Sequence, residues 1–345
     1  MKLLHTADLH LTSRDNKRLE VLNWIVEKSN ALNIDTVIIA GDLFDSDTDA
    51  NQLRQKVREI FKKTSAEILI VPGNHDENSY SPGGEFGSNV HLLIEKPYQI
   101  LVKDSIKIVA FPYQNIKFSE FKKDLPEDID ILIIHGTVLD PSFSYLLTDE
   151  DIEYLPIYPA SLEDTARYVA FGHFHTRYLL VDYKKTKVCY PGAPVALSTK
   201  CTKERVVVYV EMDRENLKIE PLKIEISPFW RRLEYFVYPD IEETIFKKIQ
   251  SDLEALKFGT MPYIIIRGFI ATDEKAFYQK LNEIEKNFAP QFLELKVVAE
   301  NITVWERILT NPIIKKFVER TKNLNDRLRM KIFEIVFPIF NDLIR

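Results

Sequence analysis

Strand-length apolar runs that each end in a motif carrying Asp or His constrain this chain more than any other feature. KLLHTA at 2–7 leads into DLH at 8–10, and TVIIA at 36–40 leads into GDLFD at 41–45. EILIV at 67–71 precedes GNHD at 73–76, DILII at 130–134 precedes HG at 135–136, and RYVAF at 167–171 precedes GHFH at 172–175. Runs of this length and continuity suit strands buried on both faces. Between the first two, Leu19, Leu22, Ile25, Val26 and Leu32 recur near helical spacing. Alternating strands and helices predict a layered α/β domain. Its motifs then gather at the carboxyl ends of neighbouring strands, where open α/β sheets hold ligands.

Further strands are expected at 106–111, 178–183, 186–190 and 204–212, with a turn enforced by YPGAP at 190–194. Near Ser227-Pro228 the texture changes to strand (231–237), helix (241–256), strand (262–269), helix (273–287) and strand (291–298), a compact βαβαβ unit. After Asn301 the chain reads as helical, with Asn311 as N-cap, Pro312 at the first helical position, and Pro338 ending or kinking the last helix. Three segments follow: 1–227 as the α/β domain, 228–300 as a capping domain and 301–345 as a helical tail. The length of 345 residues suits one domain of about 200 residues with smaller additions.

The motifs hold five of the seven histidines. Asp8 and His10 stand two apart, so a continuing strand would project both from one face to grip one ion. Asp42 has two carboxylate oxygens and can bridge two metals. Asn74 offers an amide oxygen, and His135, His173 and His175 offer imidazole nitrogens. This mixture suits Mn²⁺, Fe²⁺ or Zn²⁺, whereas all-oxygen ligation would indicate Mg²⁺ or Ca²⁺. His5, inside a strand, and His91 are expected to be structural. Cys189 and Cys201, the only cysteines, form no CxxC pair and are expected to be inert thiols.

In the order and spacing of these motifs the sequence resembles the calcineurin-like metallophosphoesterases, and among them the SbcD-type DNA-repair nucleases that include the meiotic recombination eleven nuclease. The likeness is strong in the catalytic domain and weaker in the cap and tail. It implies a four-layer α/β/β/α metallophosphoesterase sandwich with a small α/β capping domain and a C-terminal helical tail. It also implies two divalent ions, with Mn²⁺ the first expectation. One would be held by Asp8, His10, Asp42 and His175, and the other by Asp42, Asn74, His135 and His173. His75 would contact the phosphate and help protonate the leaving oxygen, a contribution of about 10²–10⁴-fold, with Asp76 orienting it. Phosphatases of the superfamily carry an Arg soon after GD; here GDLFDSDTD places acids at 45, 47 and 49, which favours a diester over a dianionic monoester. Asp45 stands where archaeal and eukaryotic relatives often have His.

The resemblance further implies a nuclease of double-strand break repair, cutting duplex ends as an exonuclease and single strands or hairpins as an endonuclease. Its C-terminal helices would bind the coiled-coil base of an SbcC-type ABC ATPase, and two copies would pair through catalytic-domain helices, where Leu53, Val57, Ile60 and Phe61 could serve but could equally be core. The tail's apolar residues, among them Ile313, Phe317, Leu328, Phe333, Ile335, Phe337, Ile339 and Phe340, exceed what one helix buries on one side. They could pack on the capping domain, but basic residues among them favour docking on a partner. The net charge of −6 hides this tail, where nine Lys/Arg meet five acids. A stand-alone phosphodiesterase for small diesters and a non-catalytic scaffold bridging DNA ends are the alternatives. No apolar run approaches a membrane span, and a cytoplasmic location is expected.

Overall fold

The computed structural model describes residues 1–80, 86–114, 117–143, 154–239, 241–257, 259–271 and 273–344, and it divides into two compact units, Met1–Phe229 and Trp230–Arg345. The first unit begins with β1 (Lys2–Thr6), α1 (Asn16–Ala31), β2 (Thr36–Ala40), α2 (Asp47–Phe61), β3 (Glu67–Val71) and β4 (Val90–Leu92). It continues through β5 (Gln99–Lys103), β6 (Ile106–Phe111), α3 (Phe118–Phe121), β7 (Ile129–His135), β8 (Thr137–Val138), β9 (Pro156–Ile157) and α4 (Pro159–Leu162). Strands β10 (Ala166–Gly172), β11 (Leu179–Tyr183), β12 (Thr186–Tyr190), β13 (Val206–Met212) and β14 (Leu217–Lys223) complete it.

Two six-stranded sheets, β14-β13-β1-β2-β3-β4 and β11-β12-β10-β7-β6-β5, form its two inner layers. Strands β1 to β4 run parallel in the first, as do β6, β7, β10 and β12 in the second. Alternate residues of each strand serve different layers, as the period of two requires. Leu3, Ile38 and Leu69 meet Ile108, Ile131, Ile133 and Ala170 between the sheets. Leu4, Val37, Ile39, Ile68 and Ile70 pack outward beneath Leu22, Ile25 and Val26 of α1 and Leu53, Val57 and Phe61 of α2. On the far side Val109, Phe111, Leu132 and Ile134 meet Phe118 of α3 and Leu162 of α4. Both faces of each central strand are thus covered, and that produces the continuous apolar runs. The four-layer α/β/β/α sandwich follows. Leu53, Val57 and Phe61, offered above as pairing positions, are core residues of this unit.

The second unit contains β15 (Phe229–Val237), α5 (Glu242–Glu254), β16 (Thr260–Ile270), α6 (Glu274–Phe288), β17 (Lys296–Val304), α7 (Trp305–Ile308), α8 (Pro312–Thr321) and α9 (Asp326–Ile344). Its sheet has the order β15-β16-β17. Ile264, Ile266 and Ile270 of β16 face Phe246, Ile249, Phe277 and Ile284 of α5 and α6. Phe269 points the other way, into a cluster with Ile308, Ile314, Phe333, Phe337 and Phe340. The tail therefore packs on its own sheet while Ile313, Leu328, Ile335 and Ile339 stay exposed.

Two expectations change here. Strand β17 runs to Val304, past Asn301, because an irregularity opposite Ile266/Gly268 absorbs the break and Asn301 takes a left-handed φ of 55°. Helix α9 continues through Pro338 rather than ending there, held by Phe333, Phe337 and Phe340 on either side. No helix among the described residues is long and apolar enough to cross a membrane.

Candidate metal centre

Strand β1 stops at Thr6, before its motif begins, and β10 stops at Gly172, the first residue of its motif. Asp8, His10, Asp42 and His173 then take positive φ values of 55°, 45°, 50° and 93°. Non-glycine residues adopt such angles only where their surroundings hold them, and these positions cluster at functional sites. The same-face reasoning for Asp8 and His10 therefore does not apply: turned backbone, not a continuing strand, aims both. Asp8 N–H donates to the Gly41 carbonyl (3.0 Å), and His10 N–H donates to that of Asp42 (2.9 Å). Close approach explains the motif glycines. A Cβ at Gly41 would lie 1.9 Å from His135 Nδ1, one at Gly73 2.1 Å from Asp42 Oδ1, and one at Gly172 1.8 Å from the Ala40 carbonyl oxygen.

Donor atoms of Asp8, His10, Asp42 and His175 converge in one group, and those of Asp42, His135 and His173 in a second that shares Asp42. Asn74 Oδ1 belongs with the second, 3.0 Å from His135 Nε2 and 3.3 Å from His173 Nδ1. All seven residues expected as ligands are thus together. Each carboxylate uses one oxygen locally: Asp8 Oδ1 accepts from His173 N–H (2.8 Å) and Asp42 Oδ1 from His75 N–H (2.9 Å). Asp8 Oδ2 is buried with no hydrogen-bond donor among the described residues. Asp42 Oδ2 faces His135 Nε2 at 3.2 Å and His10 Nε2 at 3.6 Å. His10 Nε2 and His175 Nε2 are 3.1 Å apart. A buried bare carboxylate oxygen and converging imidazole nitrogens fit divalent cations of intermediate softness.

Burial drives the Asp8 carboxyl up to about 7. Burial and the neighbouring His10 hold His175 well below the usual histidine range, so it presents a lone pair at neutral pH. Burial would lower His135 too, but the adjacent Asp42 charge wins and raises it to about 9. Its Nδ1–H donates to the Ala40 carbonyl (3.0 Å), which turns Nε2 toward Asp42.

His75 is exposed and stands outside both groups of expected ligands, its ring edge-to-face with His10 at 4.6 Å between centroids. Asp76 does not orient it. The Asp76 carboxylate accepts from Gly73 N–H (2.9 Å), Phe44 N–H (3.2 Å) and the Tyr80 hydroxyl (2.6 Å), tying GNHD to GDLFD. The acceptor for His75 Nδ1–H is the Asp45 carbonyl at 3.2 Å. The acids after GD also divide. Asp49 receives Thr12 and Ser13, Asp47 receives Ser79, and both begin α2 behind its N-cap Ser46. Only Asp45 turns to the site, 3.2 Å from His10 Nδ1.

Three further residues escape motif reading. Arg205 is fully buried and donates to the carbonyls of His175 (3.0 Å), Thr176 (2.7 Å), Ala193 (3.3 Å) and Lys203 (2.9 Å), bracing the wall behind His175. Tyr154 lies 5.2 Å from His173 between ring centroids, and Tyr113 lies 6.3 Å beyond. A lone Arg or Tyr carries no spacing signal. His5 is buried between Tyr168 and Phe171, and His91, on β4, lies 3.8 Å from Glu67 and in neither donor group. Cys189 and Cys201 are buried and unpaired, and burial pushes the Cys189 thiol up to about 12.

The calcineurin-like phosphoesterase family model matches residues 1–177, a span that contains every residue of both donor groups. The chain belongs to this family, whose members use a dimetal centre. The SbcD component of the SbcCD nuclease of Escherichia coli (strain K12) is 22% identical over 281 residues, 66% of this chain and 69% of that protein. DNA double-strand break repair protein Mre11 of Archaeoglobus fulgidus is 26% identical over 234 residues, 56% of this chain and 50% of that one. The solved structure of a novel archaeal phosphodiesterase covers 64% of this chain and 100% of its own, at 16% identity and a TM-score of 0.35.

Proposed function

We propose that this chain is a metal-dependent DNA nuclease of double-strand break repair, hydrolysing phosphodiesters as a duplex-end exonuclease and a single-strand or hairpin endonuclease. The observation that carries the reading is the pair of donor groups sharing Asp42, with exposed His75 beside them but in neither set of expected ligands. Asp8, His10, Asp42 and His175 would hold one ion, and Asp42, Asn74, His135 and His173 the other, with Mn²⁺ the favoured metal. Two such ions supply Lewis acidity toward a phosphate and toward water. The protein's own groups do the rest. Asp42 holds both donor groups in one frame, and Asp45 fixes the His75 ring through Nδ1, leaving Nε2 as the atom that passes a proton to a leaving oxygen. Tyr154 and Tyr113 offer faces on which a nucleobase can stack beside the second group.

The relatives named above support DNA as the polymer. The exposed Ile335 and Ile339 of α9, with Leu328 seven residues before Ile335, support docking of an SbcC-type ABC ATPase on the tail. With Leu53, Val57 and Phe61 buried, a second copy of the chain would use the groove lined by Leu19, Trp24, Ile60 and Ile226. A cytoplasmic location accords with this activity.

The test incubates purified protein and Mn²⁺ with end-labelled duplex and hairpin DNA beside a small-diester control, with and without chelator. Chelator-sensitive DNA cleavage is expected; activity confined to the small diester would make this a small-molecule phosphodiesterase. His75→Ala should keep Mn²⁺ binding and lose about 10²–10⁴-fold in turnover. Loss of bound Mn²⁺ in that variant would instead make His75 a ligand.

A further inference from the structure

The first donor group is assembled across the two sheets. Asp8, His10 and Asp42 follow β1 and β2 of one sheet, whereas His175 follows β10 of the other. That fourth member is fixed through its main chain. The His175 carbonyl accepts from Ala193 N–H (3.1 Å) and from Arg205 Nη1 (3.0 Å). The same guanidinium donates to the carbonyls of Thr176 (2.7 Å), Ala193 (3.3 Å) and Lys203 (2.9 Å). It is buried, and among the described residues no carboxylate pairs with it. A buried charge without a counter-ion is costly unless its hydrogen bonds are made, and here main-chain carbonyls make them. Arg205 immediately precedes β13 and accepts Ile224 N–H at its own carbonyl (2.9 Å), and β13 runs antiparallel to β1 with Val208 opposite His5. The guanidinium therefore reaches from the end of the sheet that leads into Asp8 and His10 to the loop that carries His175. His173 is held differently, its N–H donating to Asp8 Oδ1 (2.8 Å), and Phe174 between the two packs on Tyr190 at 5.8 Å between ring centroids.

We propose that Arg205 is a positioning residue that sets His175 into the first donor group, and that it acts on one of the two expected ions and not the other. The inference rests on the reading of His175 as a metal ligand. A guanidinium presents its N–H groups in one rigid plane, so it fixes the direction of the His175–Thr176 main chain as well as its position. Lysine keeps the charge but gathers its donors at one nitrogen, which separates charge from geometry. Removing an outer partner of a metal ligand weakens binding by about 10–100-fold. The loss should fall on the ion held with His175, because Asp42, Asn74, His135 and His173 keep their own contacts when Arg205 changes.

The experiment titrates Mn²⁺ calorimetrically into the full chain as wild type, Arg205→Lys, His175→Ala and His135→Ala, with amide exchange of each measured metal-free by mass spectrometry. Two binding events are expected in the wild type. Arg205→Lys should weaken one of them about 10–100-fold, and it should be the event that His175→Ala removes and His135→Ala spares. The peptide spanning Ala193 should exchange slowly in the metal-free wild type and faster in Arg205→Lys, while β1 and β10 peptides keep their protection. Wild-type affinity at both events in Arg205→Lys, with His175→Ala impaired, overturns the positioning role alone. Equal weakening of both events, or protection lost throughout the first unit, gives Arg205 a general structural role and also overturns it. Rapid exchange at Ala193 in the metal-free wild type overturns it whether or not the variants fold. Two wild-type events in both histidine variants overturn the ligand reading and the inference with it.

Discussion

Acid should destabilise the first unit through His5, a residue outside the reaction. Its Nδ1 lies 2.8 Å from the Tyr168 hydroxyl and its Nε2 3.2 Å from the Phe171 carbonyl, so a neutral ring satisfies both partners across the two sheets. Tyr168 in turn neighbours the Cys189 thiol, and no carboxylate among the described residues partners the ring. Burial lowers His5 from the ordinary 6.5 to about 3, despite the opposing pull of the Phe171 carbonyl. The unfolded chain therefore binds a proton below 6.5 that the folded chain refuses until about 3. Stability from this group is complete above pH 6.5 and declines as pH falls through that window, by about 1.4 kcal/mol per pH unit once well inside it. Between pH 8 and pH 5 the loss is about 2 kcal/mol. The assay equilibrates wild type and His5→Gln in urea at both pH values and pulse-labels amides at one fixed pH, reading β1 and β10 peptides by mass spectrometry. The fixed cost of the substitution and every other titrating group cancel in the double difference. The stability gap between wild type and His5→Gln should move by about 2 kcal/mol toward the variant at pH 5. Stability curves that stay parallel from pH 8 to pH 5 would refute the reasoning.

Gly172→Ala puts a methyl 1.8 Å from the Ala40 oxygen that accepts from His135, so about 1–3 kcal/mol of stability and much of the Mn²⁺ affinity should go together; unchanged calorimetric affinity would contradict the close-approach account. Arg205→Met leaves its carbonyl partners without their donor and should cost about 1–3 kcal/mol in urea unfolding. Arg205→Lys should recover less than half, since one ammonium cannot span those carbonyls; full recovery would show that charge alone matters. Ile335→Asp with Ile339→Asp, 73% and 58% exposed, should leave the unfolding temperature within the range of ordinary surface changes but abolish capture of an SbcC-type ATPase. Undiminished capture would remove this face from the docking surface. Truncation at Asn301 is a poorer test because it cuts through β17.

Six strands, β1, β2, β3, β6, β7 and β10, are legible to within a residue or so because burial on both faces makes them apolar runs. The edge strands β5 and β14 are not, because their residues, as in LKIEPLK, alternate with solvent. The tail's dual character was equally hidden: Phe333 and Ile335 look alike in sequence, and only their position on α9 sends one to the sheet and the other to solvent.

At the site, which donors exist and in what order is a matter of residue identity, since carboxylate, amide and imidazole are properties of residue types. Tertiary structure decided what each donor faces. His173 and His175 stand two apart yet join different groups, and Asp76, beside His75, secures a loop while Asp45, thirty residues earlier, holds the ring. The reason is geometric. The DLH, GDLFD and GHFH motifs leave their strands on backbone with positive φ, where the two-residue period of a strand no longer governs direction, and side chains there are aimed by contacts with segments distant in the chain.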